Sequence, residues 1–207
     1  MIDANISKRL KQAARTKNLF HRASELPSGS GILFKEMIRM EPWEIDYLIM
    51  VGKRVQHGVV ELGRYNGGST VVFAHVTNLP IYSIDISPQN DEKLVSLFNQ
   101  CNVGSNVHLI VGDSQHVKYP EVKHYDLLFV DGDHSYQGCL NDLNNWWDGL
   151  KVGGHVLCHD SYFGNEVQDA IHEFLKDKQV NIYLSPYNPA RHWYMPYGSL
   201  CHFQKLR

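Results

Sequence analysis

Acidic and histidine side chains follow two apolar runs in the second half of the chain, where buried strands would end. The run "YDLLFV" is followed by Asp131, and the run "GHVLC" by His159 and Asp160. The ends of adjacent parallel strands lie close together, so Asp131 and Asp160 could share one cation, without which they would repel each other. Mg²⁺ in proteins is often held by one or two carboxylates and water. These residues predict a divalent-metal site.

His159 leaves the identity of that metal open between magnesium and manganese or another transition ion. Imidazole is a softer ligand than a carboxylate and suits Mn²⁺, Fe²⁺ or Zn²⁺ better than Mg²⁺. The alternative interpretation of His159 is a packed histidine within the strand. Cys158 precedes it, but the alternation of side chains along a strand directs that thiol to the opposite face, so we do not count it as a ligand.

His134 lies three residues beyond Asp131 and is a second candidate for chemistry. Its unperturbed pKa of about 6.5 suits proton abstraction near neutral pH. The alternative is that His134 caps the helix that follows it. Asp133 fits a turn position, or a residue that orients His134, better than a metal ligand.

A glycine-rich loop follows the first predicted strand, in "VVELGRYNGGST". Its spacing is G-x-x-x-G-G, from Gly63 to Gly67 and Gly68, which differs from the G-x-G-x-x-G of dinucleotide-binding loops because Tyr65 fills the middle position. Glycines allow backbone to approach a ligand closely. A plain strand-to-helix turn is the alternative interpretation.

Carboxylates at three strand ends narrow the class of ligand. Glu61, just before the glycine loop, would repel a pyrophosphate but attract an ammonium group. Asp85, at the end of the second strand, suits a ribose diol. Asp113 or Ser114 could contact an adenine edge, although Asp113 could equally be a helix N-cap. A ligand with a ribose, a cationic amine and no pyrophosphate is S-adenosylmethionine (SAM) rather than NAD.

These motifs resemble the class I methyltransferases, and in particular the small metal-dependent O-methyltransferases of catechol and natural-product-sugar types. The resemblance covers roughly Val59 to Ser161. It implies that Glu61 binds the methionine amine and that Asp85 binds the ribose. The cofactor-binding residues predicted in this way are Glu61, Gly63, Tyr65, Gly67, Ser69, Asp85, Asp113, Ser114 and Asp131.

The resemblance also assigns the metal and the base. In that family, an acid after the fourth strand and an acidic pair after the fifth hold the metal, which implies Asp131, His159 and Asp160 here. His159 departs from the family's pattern, in which many members have a carboxylate. A lysine, or in some sugar-type members a histidine, three residues after the metal acid is the general base. The resemblance therefore implies that His134 is the catalytic base in methylation of a hydroxyl on a small molecule.

The elements that must position these residues are apolar runs alternating with helix-like segments. Such runs indicate a parallel sheet covered on both faces. Two late runs, "VNIYLS" and "SLCHFQ", have no helix between them and predict an antiparallel hairpin. The expected fold is α/β: a Rossmann-like, doubly wound, mostly parallel seven-stranded sheet with an antiparallel C-terminal hairpin strand, plus N-terminal helices.

The expected organisation is an N-terminal helical cap over residues 1–57 and a SAM-dependent methyltransferase domain over residues 58–207. Ile6, Leu10 and Ala14 recur four apart among basic residues, as on a helix that either caps the domain or binds a membrane surface or partner. The aromatic loop from Tyr187 to Tyr197 could line a substrate pocket or pack against a sister subunit. We expect Trp146 and Trp147 to lie in the core or at an interface.

Composition excludes several classes of partner. The 207 residues carry a net charge of −2, so no strong field favours nucleic acid or an anionic membrane. There is no apolar stretch long enough to span a membrane and no apolar secretory leader. The four cysteines form no C-x-x-C pair, so we expect reduced thiols and a cytoplasmic location. A homodimer or higher homo-oligomer remains possible.

Three alternative functions remain. An NAD-dependent oxidoreductase conflicts with the glycine spacing and with Glu61. A SAM-binding interaction or regulatory module without catalysis would not need the acid–histidine cluster, which consists of Asp131, His134, His159 and Asp160. A nucleic-acid methyltransferase conflicts with the neutral charge and the missing basic stripe.

Overall fold

The structure is a computed structural model that describes residues 37–116, 122, 124–162, 164–184 and 200–207. It contains one seven-stranded sheet in the order β3-β2-β1-β4-β5-β7-β6. The strands are β1 (Val59–Leu62), β2 (Ile81–Asp85), β3 (Val107–Val111), β4 (Tyr125–Val130), β5 (Leu150–Cys158), β6 (Val180–Leu184) and β7 (Cys201–Lys205). The helices are α1 (Pro42–Gly52), α2 (Gly68–Val76), α3 (Asp91–Cys101), α4 (Tyr136–Trp147) and α5 (Glu166–Leu175).

The first five strands are parallel, as their continuous apolar runs predict. All four residues of β1 are buried, because β1 lies between β2 and β4 in the middle of the sheet. The order reverses at β1, from which the chain runs outward first to β3 and then to β6. In open sheets, ligands bind beyond the carboxyl ends of the strands at such a reversal.

The last two strands form the antiparallel hairpin that the sequence predicts. β7 pairs antiparallel with both β5 and β6, so it lies inside the sheet and β6 forms the edge. The predicted seven-stranded, mostly parallel fold is confirmed. One boundary differs from the expectation: β5 begins at Leu150, directly after α4, and Leu150 pairs with Tyr125 of β4.

Helices cover both faces of the sheet and create two apolar cores. α4 and α5 pack on one face, where Trp147 meets Phe174 edge to face with ring centroids 5.2 Å apart. Both Trp146 and Trp147 are buried there, so they are core residues. α1, α2 and α3 pack on the other face against β1, β2 and β4.

The N-terminal region contributes directly to this second core. From α1, Tyr47, Leu48 and Val51 are buried against the sheet. The division between residues 57 and 58 stays a prediction. The predicted basic helix with Ile6 and the aromatic loop after Tyr187 lie outside the described residues. In the part of the chain that the structure describes, no helix has the length and apolarity needed to cross a membrane.

Candidate active site

A cavity of about 780 Å³ opens at the carboxyl ends of the central parallel strands, on the side that the strand reversal predicts. Its volume is within the range of small-molecule sites. Side chains from five strand ends and from the segment before α1 line it. They are Arg39, Gly63, Tyr65, Ile84, Asp85, Ile86, Asp113, Ser114, Gln115, Asp131, Gly132, Asp133, His134, His159 and Asp160.

The glycine loop forms one wall of the cavity. Gly63 has φ +86°, and a Cβ atom there would overlap the backbone carbonyl of Asp131, so only glycine fits. Tyr65 also has a positive φ, and its side chain is half exposed. Gly67 is not part of the wall; it is the left-handed N-cap of α2 and packs against Leu94. The first part of the loop therefore brings the ends of β1 and β4 close together, and its last part begins α2.

Asp85 faces the cavity and is fixed by the backbone of the glycine loop. Its Oδ2 accepts hydrogen bonds from the N–H groups of Arg64, at 2.8 Å, and Tyr65, at 2.7 Å. Its Oδ1 accepts from the N–H of Ser87 at 2.7 Å. These bonds hold the carboxylate at the cavity wall, where the sequence places a ribose-binding acid.

Glu61 lies behind the glycine loop rather than at the wall. It is fully buried, and its two oxygens accept hydrogen bonds of 2.5 Å from the hydroxyls of Ser69, Thr70 and Ser83. Burial raises the pKa of Glu61 although these hydroxyls oppose the rise. Glu61 and Ser69 do not line the cavity, and their side chains are hydrogen-bonded to each other. Their assignment to the cofactor stays a prediction.

Asp113 and Ser114 line the cavity beyond β3. Asp113 accepts a hydrogen bond from the N–H of Gln115 at 2.9 Å and pairs with His116 Nδ1 at 2.7 Å. Both bonds lower the pKa of Asp113, and the bond with His116 has the larger effect. Residues 113–116 form a turn, and no helix begins there within the described residues. The Ser114 hydroxyl donates to Asp142 Oδ1 at 2.7 Å.

The carboxylates of Asp131 and Asp160 converge on the same two imidazoles. His134 Nε2 lies 3.4 Å from Asp131 Oδ1 and 3.5 Å from Asp160 Oδ2. His159 Nδ1 lies 3.2 Å and 3.6 Å from the same two oxygens. The half-exposed His134 approaches from the cavity side, and the buried His159 from the protein interior. Asp160 has φ +51°, which is uncommon for a residue with a side chain.

The charges in this cluster shift one another. A hydrogen bond to Asp131 raises the pKa of His134 although partial burial opposes the rise. Burial alone would lower the pKa of His159, but the Asp131 charge and hydrogen bonds to Asp131, Asp160 and Glu44 outweigh it and raise the pKa. The hydrogen bond with His159 lowers the pKa of Asp160. These shifts therefore favour ionised carboxylates beside imidazoles that accept protons readily.

Asp133 and Ser135 organise the turn into α4. Asp133 accepts from the N–H of Ser135 at 2.9 Å and from Gln115 at 3.2 Å, which is the turn role that the sequence predicts. Ser135 is the N-cap of α4 and accepts from the N–H of Gly138 at 3.1 Å. His134 is therefore not the helix cap, and its imidazole remains directed at the two carboxylates.

The donor set suits a divalent cation. One ligand atom each from Asp131, His134 and Asp160 can be chosen so that all three lie within 4.8 Å of one another. Two carboxylates with an imidazole form a common oxygen-and-nitrogen ligand set for such ions. His159 adds a second imidazole nitrogen against the same carboxylates.

Sequence reasoning missed two residues that shape this site. Arg64, nearly fully buried, ties the glycine loop to the neighbouring strands and to Asp91. Glu44 of α1 is fully buried and contacts His159 Nε2 at 3.2 Å. Pro42 near the first turn favours a helix in this segment, but no local pattern indicates which of its polar residues turns inward.

Residues 60–161 match the family model described as a methyltransferase domain. This part of the chain is therefore similar to methyltransferase domains. The matched residues include the glycine loop and all of the acid–histidine cluster.

Several known proteins are similar to the chain, and the solved structures among them share its fold. An uncharacterized protein of Acanthamoeba polyphaga mimivirus is 30% identical over 151 residues, with 62% of this chain covered, and the chain spans only 63% of that relative's length. The structure of SMU.1697c from Streptococcus mutans, assigned as a methyltransferase and solved in complex with SAH, has a TM-score of 0.61 at 20% identity and covers 82% of this chain and all of its own. A Staphylococcus aureus protein assigned as a caffeoyl-CoA O-methyltransferase has a TM-score of 0.63 at 16% identity and covers 91% of this chain and 98% of its own.

Proposed function

We propose that the chain transfers a methyl group from SAM to a hydroxyl of a small molecule. The observation that carries the proposal is the position of Asp131, His134 and Asp160 at the wall of the cavity that Asp85 and the glycine loop also line. Asp85, as a ribose-binding acid, and the acid–histidine cluster line the same cavity. They could therefore hold a methyl donor and an acceptor next to each other, in line for transfer. The match of residues 60–161 to the methyltransferase family model supports SAM as the donor.

The chain's own residues supply the remaining chemistry. His134, half exposed beside Asp131, is placed to accept the proton of the acceptor hydroxyl as the oxygen attacks the methyl carbon. Asp131 and Asp160, with an imidazole of His134 or His159, would hold a divalent ion. When bound, such an ion lowers the pKa of a coordinated hydroxyl as a Lewis acid.

The charge of the cavity favours a small acceptor over nucleic acid. Five aspartates line it, at positions 85, 113, 131, 133 and 160. Among the described lining residues, the permanent positive charge comes from Arg39, whose guanidinium lies 5.1 Å from the Tyr65 ring centroid. A polyanion would be repelled by such a wall. The acceptor class is therefore a neutral or cationic small molecule with a hydroxyl group.

Calorimetry and activity measurements test the proposal in two steps. We expect SAM and its product SAH to bind and NAD not to bind, since Asp85 suits a ribose and the loop lacks the dinucleotide spacing. Methyl transfer from labelled SAM to a panel of catechols, sugars and phenols should then be lost in chelator and return with Mn²⁺ or Mg²⁺. Binding of NAD instead of SAM would overturn the proposal.

A SAM-binding module without catalysis is the second candidate, because the carboxylate of Glu61 is already satisfied by hydroxyls of the protein. It predicts SAM binding with no turnover on any acceptor. It also predicts that substitution of His134 is without consequence, which separates it from the enzyme.

A further inference from the structure

Glu44 connects the N-terminal helix to the acid–histidine cluster. Its Oε2 lies 3.2 Å from His159 Nε2 and accepts from the N–H of Glu41 at 2.9 Å. Its Oε1 is buried with no hydrogen-bond partner among the described residues. A buried carboxylate with one unsatisfied oxygen is costly unless a cationic or metal-bound group balances it. The hydrogen bond to Glu41 at the start of α1 therefore does not by itself explain why Glu44 is buried.

The contact fixes which nitrogen of His159 is available to the cavity. An ionised carboxylate can only accept hydrogen bonds, so Nε2 of His159 must carry the proton that points at Glu44. Nδ1 carries the second proton while it faces only carboxylates, and displacement of that proton by a bound cation leaves the lone pair at Nδ1. Nδ1 faces Asp131 and Asp160. The protein thus directs a nitrogen donor at the point where two carboxylates converge.

A carboxylate behind a histidine is the usual support of a metal-binding imidazole. Such a carboxylate fixes the tautomer and the ring orientation and makes the ligand more basic. Phe129 packs against His159 with ring centroids 6.4 Å apart and restricts the ring from the core side. His159 has little room to turn, because it is enclosed by Glu44, Phe129 and the two aspartates.

We infer that Glu44 is a positioning residue that makes His159 Nδ1 a metal ligand and thereby selects a transition ion such as Mn²⁺, Fe²⁺ or Zn²⁺ over Mg²⁺. The inference rests on the proposed function for the place of the metal, but it concerns only metal binding. Nitrogen ligands favour these ions, whereas Mg²⁺ prefers oxygen. The same buried carboxylate also disfavours an acid at position 159, because two buried carboxylates would repel each other.

Metal titrations of the full chain, with and without SAM, test this. We expect wild-type protein to bind Mn²⁺ at least tenfold more tightly than Mg²⁺. Glu44→Gln should weaken Mn²⁺ binding about 10- to 100-fold, as is typical for outer-shell residues, and leave Mg²⁺ and SAM affinity within twofold. Glu41→Gln is the matched control: it removes a charge from the same helix start without touching His159, and should change none of these values.

A double substitution separates positioning from folding. His159→Asp should bind both ions poorly, because the new carboxylate faces Glu44. Adding Glu44→Gln should restore Mg²⁺ binding and reverse the preference. A purely structural Glu44 would give no such rescue, and absence of rescue overturns the inference.

Spectroscopy of the wild type gives a result that needs no folded variant. In ¹⁵N-histidine-labelled protein, Zn²⁺ should shift the Nδ1 resonance of His159 while Nε2 keeps its proton. Coordination through Nε2, or an unchanged His159 at saturating Zn²⁺, would contradict the inference. Failure of SAM to bind would instead remove the proposed function while leaving the metal results interpretable.

Discussion

The backbone of Gly63 lies so close to the carbonyl of Asp131 that no side chain fits between them. The N–H of Gly63 donates to Ile84 at 2.9 Å, and the N–H of Asp131 donates to Leu62 at 2.8 Å. The glycine loop and the acid at the end of β4 therefore occupy their positions together. A residue predicted for the cofactor and one predicted for the metal are thus mechanically linked.

Gly63→Ala tests this linkage. The added Cβ would overlap the Asp131 carbonyl and would also require a left-handed backbone at φ +86°. Gly153→Ala is the matched control, since Gly153 has φ +84° with nothing within 4 Å of its Cβ position. We expect the control to cost about 1 kcal/mol of unfolding free energy and to leave SAM affinity unchanged. Gly63→Ala should cost clearly more and abolish SAM binding; equal losses measured by urea unfolding would disprove the steric argument.

His134→Ala tests the base. Turnover should fall about 10²- to 10⁴-fold, the usual contribution of a general base, while SAM affinity by calorimetry stays within about threefold because His134 lies beside the acids and not against Asp85. His108→Ala removes an exposed histidine of β3 that does not line the cavity, and should retain full turnover. A His134→Ala protein that methylates at the wild-type rate would eliminate His134 as the base.

The sheet and the acids that end its strands could be predicted because they depend on local sequence. Apolar runs of five or six residues specify buried strands, and the reversal of strand order brings their carboxyl ends together, so Asp85, Asp131 and Asp160 reach one cavity. Glu61 follows the same local rule, yet its carboxylate turns into the protein. That direction depends on the hydroxyls of Thr70 and Ser83, which come from two other elements.

The inward polar residues could not be predicted for a related reason. Whether Arg64 or Glu44 is buried depends on partners 19 to 115 residues away in sequence. A charged residue is normally expected at the surface, and only a complete set of long-range partners reverses that expectation. His159 could not be assigned from the sequence for the same reason. The sequence allows either core packing or metal binding, and the imidazole in fact contacts Phe129 of the core as well as Asp131 and Asp160.

Arg64 should be essential for the stability of the glycine loop. Its guanidinium forms two 2.9 Å bonds to Asp91 and donates to the carbonyls of Ser83, at 2.5 Å, and Ile110, at 3.3 Å. Arg64→Met leaves these acceptors without a donor and should lower the unfolding free energy by about 3 kcal/mol. Lys176→Ala removes an exposed ion pair with Glu173 and should change it by no more than about 0.5 kcal/mol. Similar losses in urea unfolding would contradict the role of Arg64.

Asp142 should make the protein less stable as the pH rises. Burial, with repulsion from Asp113 and Asp133, raises the pKa of Asp142 to about 6, although the Ser114 hydroxyl opposes the rise. The unfolded chain ionises this group near pH 4, so between about pH 4 and pH 6 the folded state binds the additional proton. The unfolding free energy therefore falls through this range, by up to about 3 kcal/mol in total.

Asp142→Asn removes the titration and should flatten this part of the pH profile of unfolding free energy. Relative to wild type, the variant should therefore gain stability between pH 4 and pH 7. Ser114→Ala acts in the opposite direction, because the loss of the donor to Asp142 Oδ1 raises the pKa of Asp142 further and shifts the decline to higher pH. Urea unfolding at several pH values, with the carboxyl signal of Asp142 followed by ¹³C NMR, measures both effects. Parallel pH profiles for wild type and Asp142→Asn would show that Asp142 ionises normally despite its burial.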